Sequence, residues 1–219
     1  MTNPGDGSSP AVISHVAVFA ARSPGSGTVT DTFTVQAHAA GNAIVMQVGC
    51  AANATPTSVS VTAPGWTWTQ LGPILANTAS TERAAIVVAI APDASPIQLT
   101  VHWTGSTCGS SVNDLGDEFA MTDPAGGMIT FDSAVQTQGQ GPCTGMITTG
   151  HASDVVWGAC DTSNGVSSVG AGFTKSADDG AGDWSEYKVT IDPAGTVETP
   201  SFANANNGFV VSMVTLKPS

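Results

Sequence analysis

The run Asp178-Asp179-Gly180-Ala181-Gly182-Asp183-Trp184-Ser185-Glu186 is the most suggestive polar stretch of the chain. Calcium takes about six to eight oxygens from carboxylates and carbonyls on a flexible loop. Asp178, Asp179 and Asp183, on a glycine-bearing turn, offer that chemistry and make calcium the one cofactor the composition suggests. The order does not follow the EF-hand loop, and a plain solvated hairpin has the same make-up, so both readings stand. Sugar recognition needs aromatic faces with polar edges, and Trp66, Trp68 and Trp184 are the candidates for a ligand platform. Trp66 and Trp68 fall on one side of an extended segment, where the competing role is to plug the core.

Catalytic constellations are not apparent. Glycoside hydrolysis needs two carboxyl groups roughly 5–9 Å apart on one wall of a cleft. On a strand that means an acid at i and another at i+2, whereas Asp117 and Glu118 are adjacent and point to opposite faces, and Glu186 stands alone. His15, His38, His102 and His151 are scattered, and no G-x-S-x-G elbow precedes a helix. His102, beside Trp103 on an alternating segment, reads as a solvent-side residue. Cys108 in Ser106-Thr107-Cys108-Gly109 has no neighbouring cation or helix terminus to lower its pKa. The expectation is a non-enzymatic protein.

The elements that would position these residues are strands. Ala43–Cys50 and Asp154–Cys160 are short apolar runs ending in cysteine, each followed by a Ser-Val pair (Ser58-Val59, Ser168-Val169) and a Gly-aromatic-Thr step (Gly65-Trp66-Thr67, Gly172-Phe173-Thr174). They read as twin central strands, covered on both faces and pressed together. Thr28–Ala37 alternates Val29, Phe33 and Val35 with threonines, a half-exposed strand with a threonine outer face. The run Gly208–Leu216 is the most strand-like segment of all. Gly105–Gly127 reads as loop with a short strand into Glu118-Phe119, and Gln136–Gly141 as a loop between two short strands. The 25 glycines and 13 prolines are spread so that few segments escape interruption, which punctuates strands and breaks helices. The expected fold is all-β: a single antiparallel β-sandwich of jelly-roll type over residues 11–219, with pseudo-repeats at about 40–104 and 150–203 and a loose arm at 1–10.

Charge and cysteine usage bound the partners. Seventeen acidic residues against five cations give a net charge of −12, which repels nucleic acid and anionic membranes. No run approaches the roughly 20 apolar residues of a membrane span. Four cysteines suit two disulfides or none: a Cys108–Cys143 bridge between loops, with Cys50 and Cys160 either facing each other or free and buried. The opening Met1-Thr2-Asn3-Pro4-Gly5-Asp6 lacks a signal segment. It fits either a protein delivered by assembly or lysis, or one whose signal peptide Met1 replaces.

The order Gly41-Asn42-Ala43-Ile44-Val45-Met46, Trp66-Thr67-Trp68-Thr69-Gln70-Leu71, Gly170-Ala171-Gly172-Phe173-Thr174, Glu186-Tyr187-Lys188 and the closing Val214-Thr215-Leu216-Lys217-Pro218 resembles bacterial and phage β-sandwich surface modules of jelly-roll or concanavalin-like type. The resemblance covers about residues 40 to 218 and carries no shared catalytic motif. Such modules recur in secreted surface proteins and in phage tail or capsid-decorating proteins. With the missing signal segment, the Thr/Ser/Gly surface, the sparse lysine and the absence of a catalytic constellation, the expectation is a structural protein exposed on a virion, a capsid decoration or tail-associated component working through assembly contacts with other subunits as a homo-oligomer. The alternatives are a secreted carbohydrate-binding or adhesion module, with polysaccharide as partner, and a glycosidase or lyase on the same scaffold. The expected location is a virion surface or the extracellular space.

Overall fold

Apolar residues alternating with threonine and serine, interrupted at short intervals by glycine and proline, favour extended backbone whose N–H and C=O groups pair across strands. The computed structural model describes residues 10–23, 29–52, 54–77, 80–106, 108, 112–123, 125–204 and 208–219. Among these there is no helix, hence none long and apolar enough to cross a membrane. Of the expected arm at 1–10, residues 1–9 lie outside the described residues.

In chain order the strands are β1 (Val12–Arg22), β2 (Thr30–Val35), β3 (Ala43–Ala51), β4 (Ser58–Thr62), β5 (Thr69–Ala76), β6 (Glu82–Ile90), β7 (Ile97–Thr104), β8 (Val112–Thr122) and β9 (Ile129–Gln140). They continue with β10 (Cys143–Thr144), β11 (Ile147–Thr148), β12 (Val155–Thr162), β13 (Val166–Ser168), β14 (Thr174–Asp178), β15 (Trp184–Val189), β16 (Val197–Glu198), β17 (Ser201–Asn204) and β18 (Gly208–Pro218). They form antiparallel sheets ordered β1-β8-β3-β6-β5, β2-β7-β4, β14-β15-β12-β18-β9, β10-β17-β13 and β11-β16.

The architecture is β-sandwich-like, with three cores. One fills the space between the first five-stranded sheet and β2-β7-β4, and holds Ile44, Met46, Val48, Phe33, Leu99 and Trp103. A second lies between the two five-stranded sheets, where Val45, Leu115 and Phe119 meet Val155, Trp157 and Val214. The third backs the other five-stranded sheet with Val156, Phe202, Val211 and Met213. Period-two alternation decides which core each residue joins. In β3, Ala43 and Val45 face the middle while Ile44, Met46, Val48 and Cys50 face outward; in β12, Val155, Trp157 and Ala159 face the middle while Val156 and Cys160 turn away.

That parity corrects the cysteine expectation. Cys50 and Cys160 point into the two outer cores, away from each other. Cys50 is bridged to Cys108 and Cys143 to Cys160, so no cysteine is free and neither the Cys108–Cys143 nor the Cys50–Cys160 pairing forms. Three element readings also change. β8 is a strand of 11 residues in the segment read as loop, because its polar Asn113, Asp117 and Glu118 find partners inside. β9 runs for 12 residues through the Gln136–Gly139 stretch, paired along β18. Trp66 and Trp68 precede β5 and lie outside any strand.

Polar stitches tie the two five-stranded sheets together. Gln47 of β3 donates to Ser212 Oγ at 2.9 Å, and Asn77 donates to the Gly139 and Phe209 carbonyls at 2.7 and 3.0 Å. Asp117 of β8, fully buried, accepts from Trp157 Nε1 and from Ser185 Oγ, each at 2.6 Å.

Candidate functional site

A groove of about 580 Å³ lies beside the acidic loop that joins β14 to β15. Trp184, Asp178, Gly180 and Gly182 line one side; Asn164, Val166 and Ser167 of the β12–β13 turn and β13 line the other. Two glycines set the close approach. A methyl group on Gly182 would sit 2.5 Å from the Gly165 Cα, and both residues have positive φ, 117° and 73°. The Gly182 carbonyl accepts from Val166 N at 2.7 Å and locks the turns together.

Each aspartate of the loop has a separate task. Asp178 accepts from Lys175 Nζ at 2.7 Å and Gly180 N at 2.9 Å; the lysine bond first, then the amide, holds its pKa below the usual range. Asp179 Oδ1 accepts from the amides of Ala181, Gly182 and Asp183 at 2.8–3.0 Å and so caps the loop. Asp183 turns inward, accepting from Thr162 N at 2.8 Å and from Asn113 Nδ2 at 2.5 Å. Burial, and then the neighbouring Asp161 and Asp179 charges, raise its pKa well above normal. The three candidate calcium ligands Asp178, Asp179 and Asp183 thus each hold a different set of donors, and Asp179 Oδ2 is buried with no hydrogen-bond partner.

The tryptophans divide between two cores. Trp66, buried, and Trp68, half-buried, stack on each other at 5.6 Å and 13° and pack on the first core with Phe19. Phe173, which follows Gly172 as Trp66 follows Gly65, packs against the third core, so the paired Gly-aromatic steps both plug interiors. Trp184 alone of the three lines the groove, with Lys175 Nζ 3.3 Å from its ring centroid, a cation–π contact. The groove therefore presents an aromatic side chain, a carboxylate, an amide and a hydroxyl to solvent, the donor and acceptor mix a polyhydroxylated ligand would meet.

Other ionisable groups gather where sequence order kept them apart. His15 Nε2 lies 2.9 Å from Asp117 Oδ1 and 2.8 Å from Ser176 Oγ, while Ser176 also donates to Asp117. A serine–histidine–aspartate relay uses opposite ring nitrogens for the serine and the acid; here both sit on one nitrogen, so the trio is a hydrogen-bonded hub around the buried Asp117. Glu118 turns the other way, as expected for adjacent strand positions. It accepts from His38 N and His38 Nδ1, both at 2.7 Å, which leaves the Nε2 edge of a largely exposed imidazole to solvent. His102 is exposed and holds Thr30 Oγ1 at 2.7 Å. Glu186, buried and accepting from Gly170 N and Ser201 N at 2.7 and 2.8 Å, is pushed up to about 7 by desolvation. Asp114 is raised well above normal by burial first and by the adjacent Asp31 carboxylate next. Neither Asp114 oxygen has a hydrogen-bond partner, and the neighbouring Asp31 pairs with Arg22 at 3.2 Å. The signal that could have found these groups was acids embedded in or flanking apolar strand runs, such as Asp154 and Asp161 around Val155–Cys160. No family model, no curated protein and no solved structure matches the chain.

Proposed function

We propose that the chain is a non-enzymatic structural protein of an exterior surface, a virion decoration or tail-associated component, acting through contacts with other subunits. The observation that carries this reading is the pair of buried disulfides, Cys50–Cys108 and Cys143–Cys160, each anchoring the end of a central strand, β3 or β12. Bridges of this kind persist in oxidising surroundings such as virion and cell surfaces. The edges fit assembly at chosen places. β1, β5 and β14 carry register shifts that blunt strand addition, whereas β2 and β4 pair with β7 without a break. A homo-oligomer joined along β2 or β4 follows from that contrast.

The same reading takes the chain as one jelly-roll-like unit built by internal duplication. Its support is the order of the large sheets. Reading β1-β8-β3-β6-β5 against β9-β18-β12-β15-β14 matches β3 with β12, and β2-β7-β4 runs parallel to β10-β17-β13. Light scattering on the purified protein is expected to return a multiple of the 21.9 kDa chain. A Ser60→Pro substitution on β4 or Thr32→Pro on β2 should reduce it toward monomer. A monomer that joins no particle overturns the assembly reading.

The groove beside Trp184 favours a second reading, a carbohydrate-binding or adhesion module. Tryptophan fluorescence titrated with polysaccharides, with and without calcium, is expected to change in the parent chain and not in Trp184→Ala. An unchanged signal across a glycan array sinks this alternative.

A further inference from the structure

We infer that Asp132, His151 and Asp154 form a site for a divalent first-row metal ion, with Zn2+ or Mn2+ as its natural occupants. In β9, Ser133 pairs with Thr215 and Phe131 with Leu216, so Asp132 is the extra residue of a β-bulge. A bulge takes a side chain out of the strand's alternation and re-aims it. Here the carboxylate is aimed at the loop that runs from Thr149 into β12. It lies so close that a methyl group on Gly150 would overlap Asp132 Oδ2. His151 Nδ1 lies 3.9 Å from that same oxygen.

Asp154 closes the group from beneath. It is fully buried, and its Oδ2 accepts from Gly150 N at 2.9 Å and His151 N at 3.0 Å. Its Oδ1 is buried with no hydrogen-bond partner, a costly state for a carboxylate oxygen unless something cationic meets it. One ligand atom from each of Asp132, His151 and Asp154 falls within 4.8 Å of the other two. An ion about 2.0–2.2 Å from each donor needs them no more than about 4.4 Å apart, which the 3.9 Å between His151 Nδ1 and Asp132 Oδ2 meets.

The donor set selects the ion. One imidazole nitrogen with two carboxylates suits zinc or manganese; calcium asks for more oxygens, and soft metals ask for thiolates. Lys217 Nζ holds the other Asp132 oxygen, Oδ1, at 2.8 Å, which fixes the carboxylate's rotation while leaving Oδ2 to the ion. The His151 side chain is 52% exposed, so the remaining coordination positions face solvent and take water. The ion would tie the β9 bulge to the start of β12, at the opposite end of that strand from the Cys143–Cys160 bridge. The competing account of the same residues is a simple ion-pair cluster around Asp132.

The test uses the full chain, stripped with chelator and titrated with Zn2+ by calorimetry. One equivalent is expected to bind, with affinity falling at least about tenfold in His151→Ala and in Asp132→Asn. His102→Ala, which removes an exposed imidazole elsewhere, should keep the equivalent. Cobalt loaded in place of zinc should give a visible absorption band that His151→Ala abolishes. Unaltered binding in His151→Ala, equal loss in His102→Ala, or no binding at millimolar Zn2+ overturns the site and leaves the ion-pair cluster. None of these readouts depends on whether the protein assembles or binds a glycan.

Discussion

Asp117 shows how much a single carboxylate decides here. It is wholly buried between the two large sheets, yet Trp157, Ser185, Ser176 and His15 all direct polar atoms at it. A buried anion survives only with such a shell, and removing the charge strands the donors. Asp117→Asn puts an amide N–H where an acceptor is required. The expected loss is about 3 kcal/mol of unfolding free energy, read from urea denaturation. Asp178, also hydrogen-bonded but with its side chain 40% exposed, is the comparison. Asp178→Asn should move stability by no more than about 0.5 kcal/mol, because surface charges contribute little. Equal losses in the two variants would refute the view of Asp117 as the hub that joins the sheets.

At the scale of elements, legibility in the sequence followed hydrophobicity. β3, β12 and β18 are apolar on both faces because other layers cover them on both sides, so their burial could be read from composition alone. β8 is equally buried along its first eight positions, yet its acids concealed it, since their partners His38, Asn42 and Trp157 lie far away in sequence. β9 hid for the opposite reason: as an edge strand it is only half-buried along most of its length, so few of its positions demand apolar residues. The loop around Trp184 was found by its glycines and aspartates, whereas the Lys175 contact and the inward turn of Asp183 depend on cross-strand geometry that spacing does not encode. The disulfides make the element scale testable. Cys50–Cys108 closes a separation of 58 residues and Cys143–Cys160 one of 17. Loop-closure entropy then assigns about 4 kcal/mol to the first and about 3 kcal/mol to the second. Replacing each pair by alanines should lower the urea midpoint in both cases, and further for Cys50/Cys108. The reverse order would mean that local packing around β12, and not chain entropy, dominates.

For the whole molecule, the consequential property is how its acids are distributed. Glu82, Asp114, Asp161, Asp183 and Glu186 all have pKa values raised by burial as the largest cause. A carboxyl whose folded pKa exceeds its unfolded value binds its proton more tightly in the native state. Stability from such a group is complete below the unfolded pKa and is lost as pH rises through the folded one. For Glu186 the window runs from 4.5 to about 7, and the loss across it amounts to about 3 kcal/mol. The groups shifted the other way act outside this window. Asp178, lowered, contributes stability that disappears only below the ordinary aspartate range, and Lys188, raised by Glu198, contributes stability that disappears only in strong alkali. The net charge of −12 adds self-repulsion that also grows as the acids ionise. The chain should therefore be more stable at pH 5 than at pH 8, with a higher urea midpoint at the lower pH in the presence of chelator. Glu186→Gln cannot ionise, so it should flatten the slope between pH 5 and 8 by about 3 kcal/mol, although its amide meets the two backbone donors less well and lowers stability at pH 5. A midpoint that rises toward pH 8 in the parent chain, or a slope unchanged in Glu186→Gln, would show that these carboxyls are ionised inside the fold and that a compensating cation holds them there.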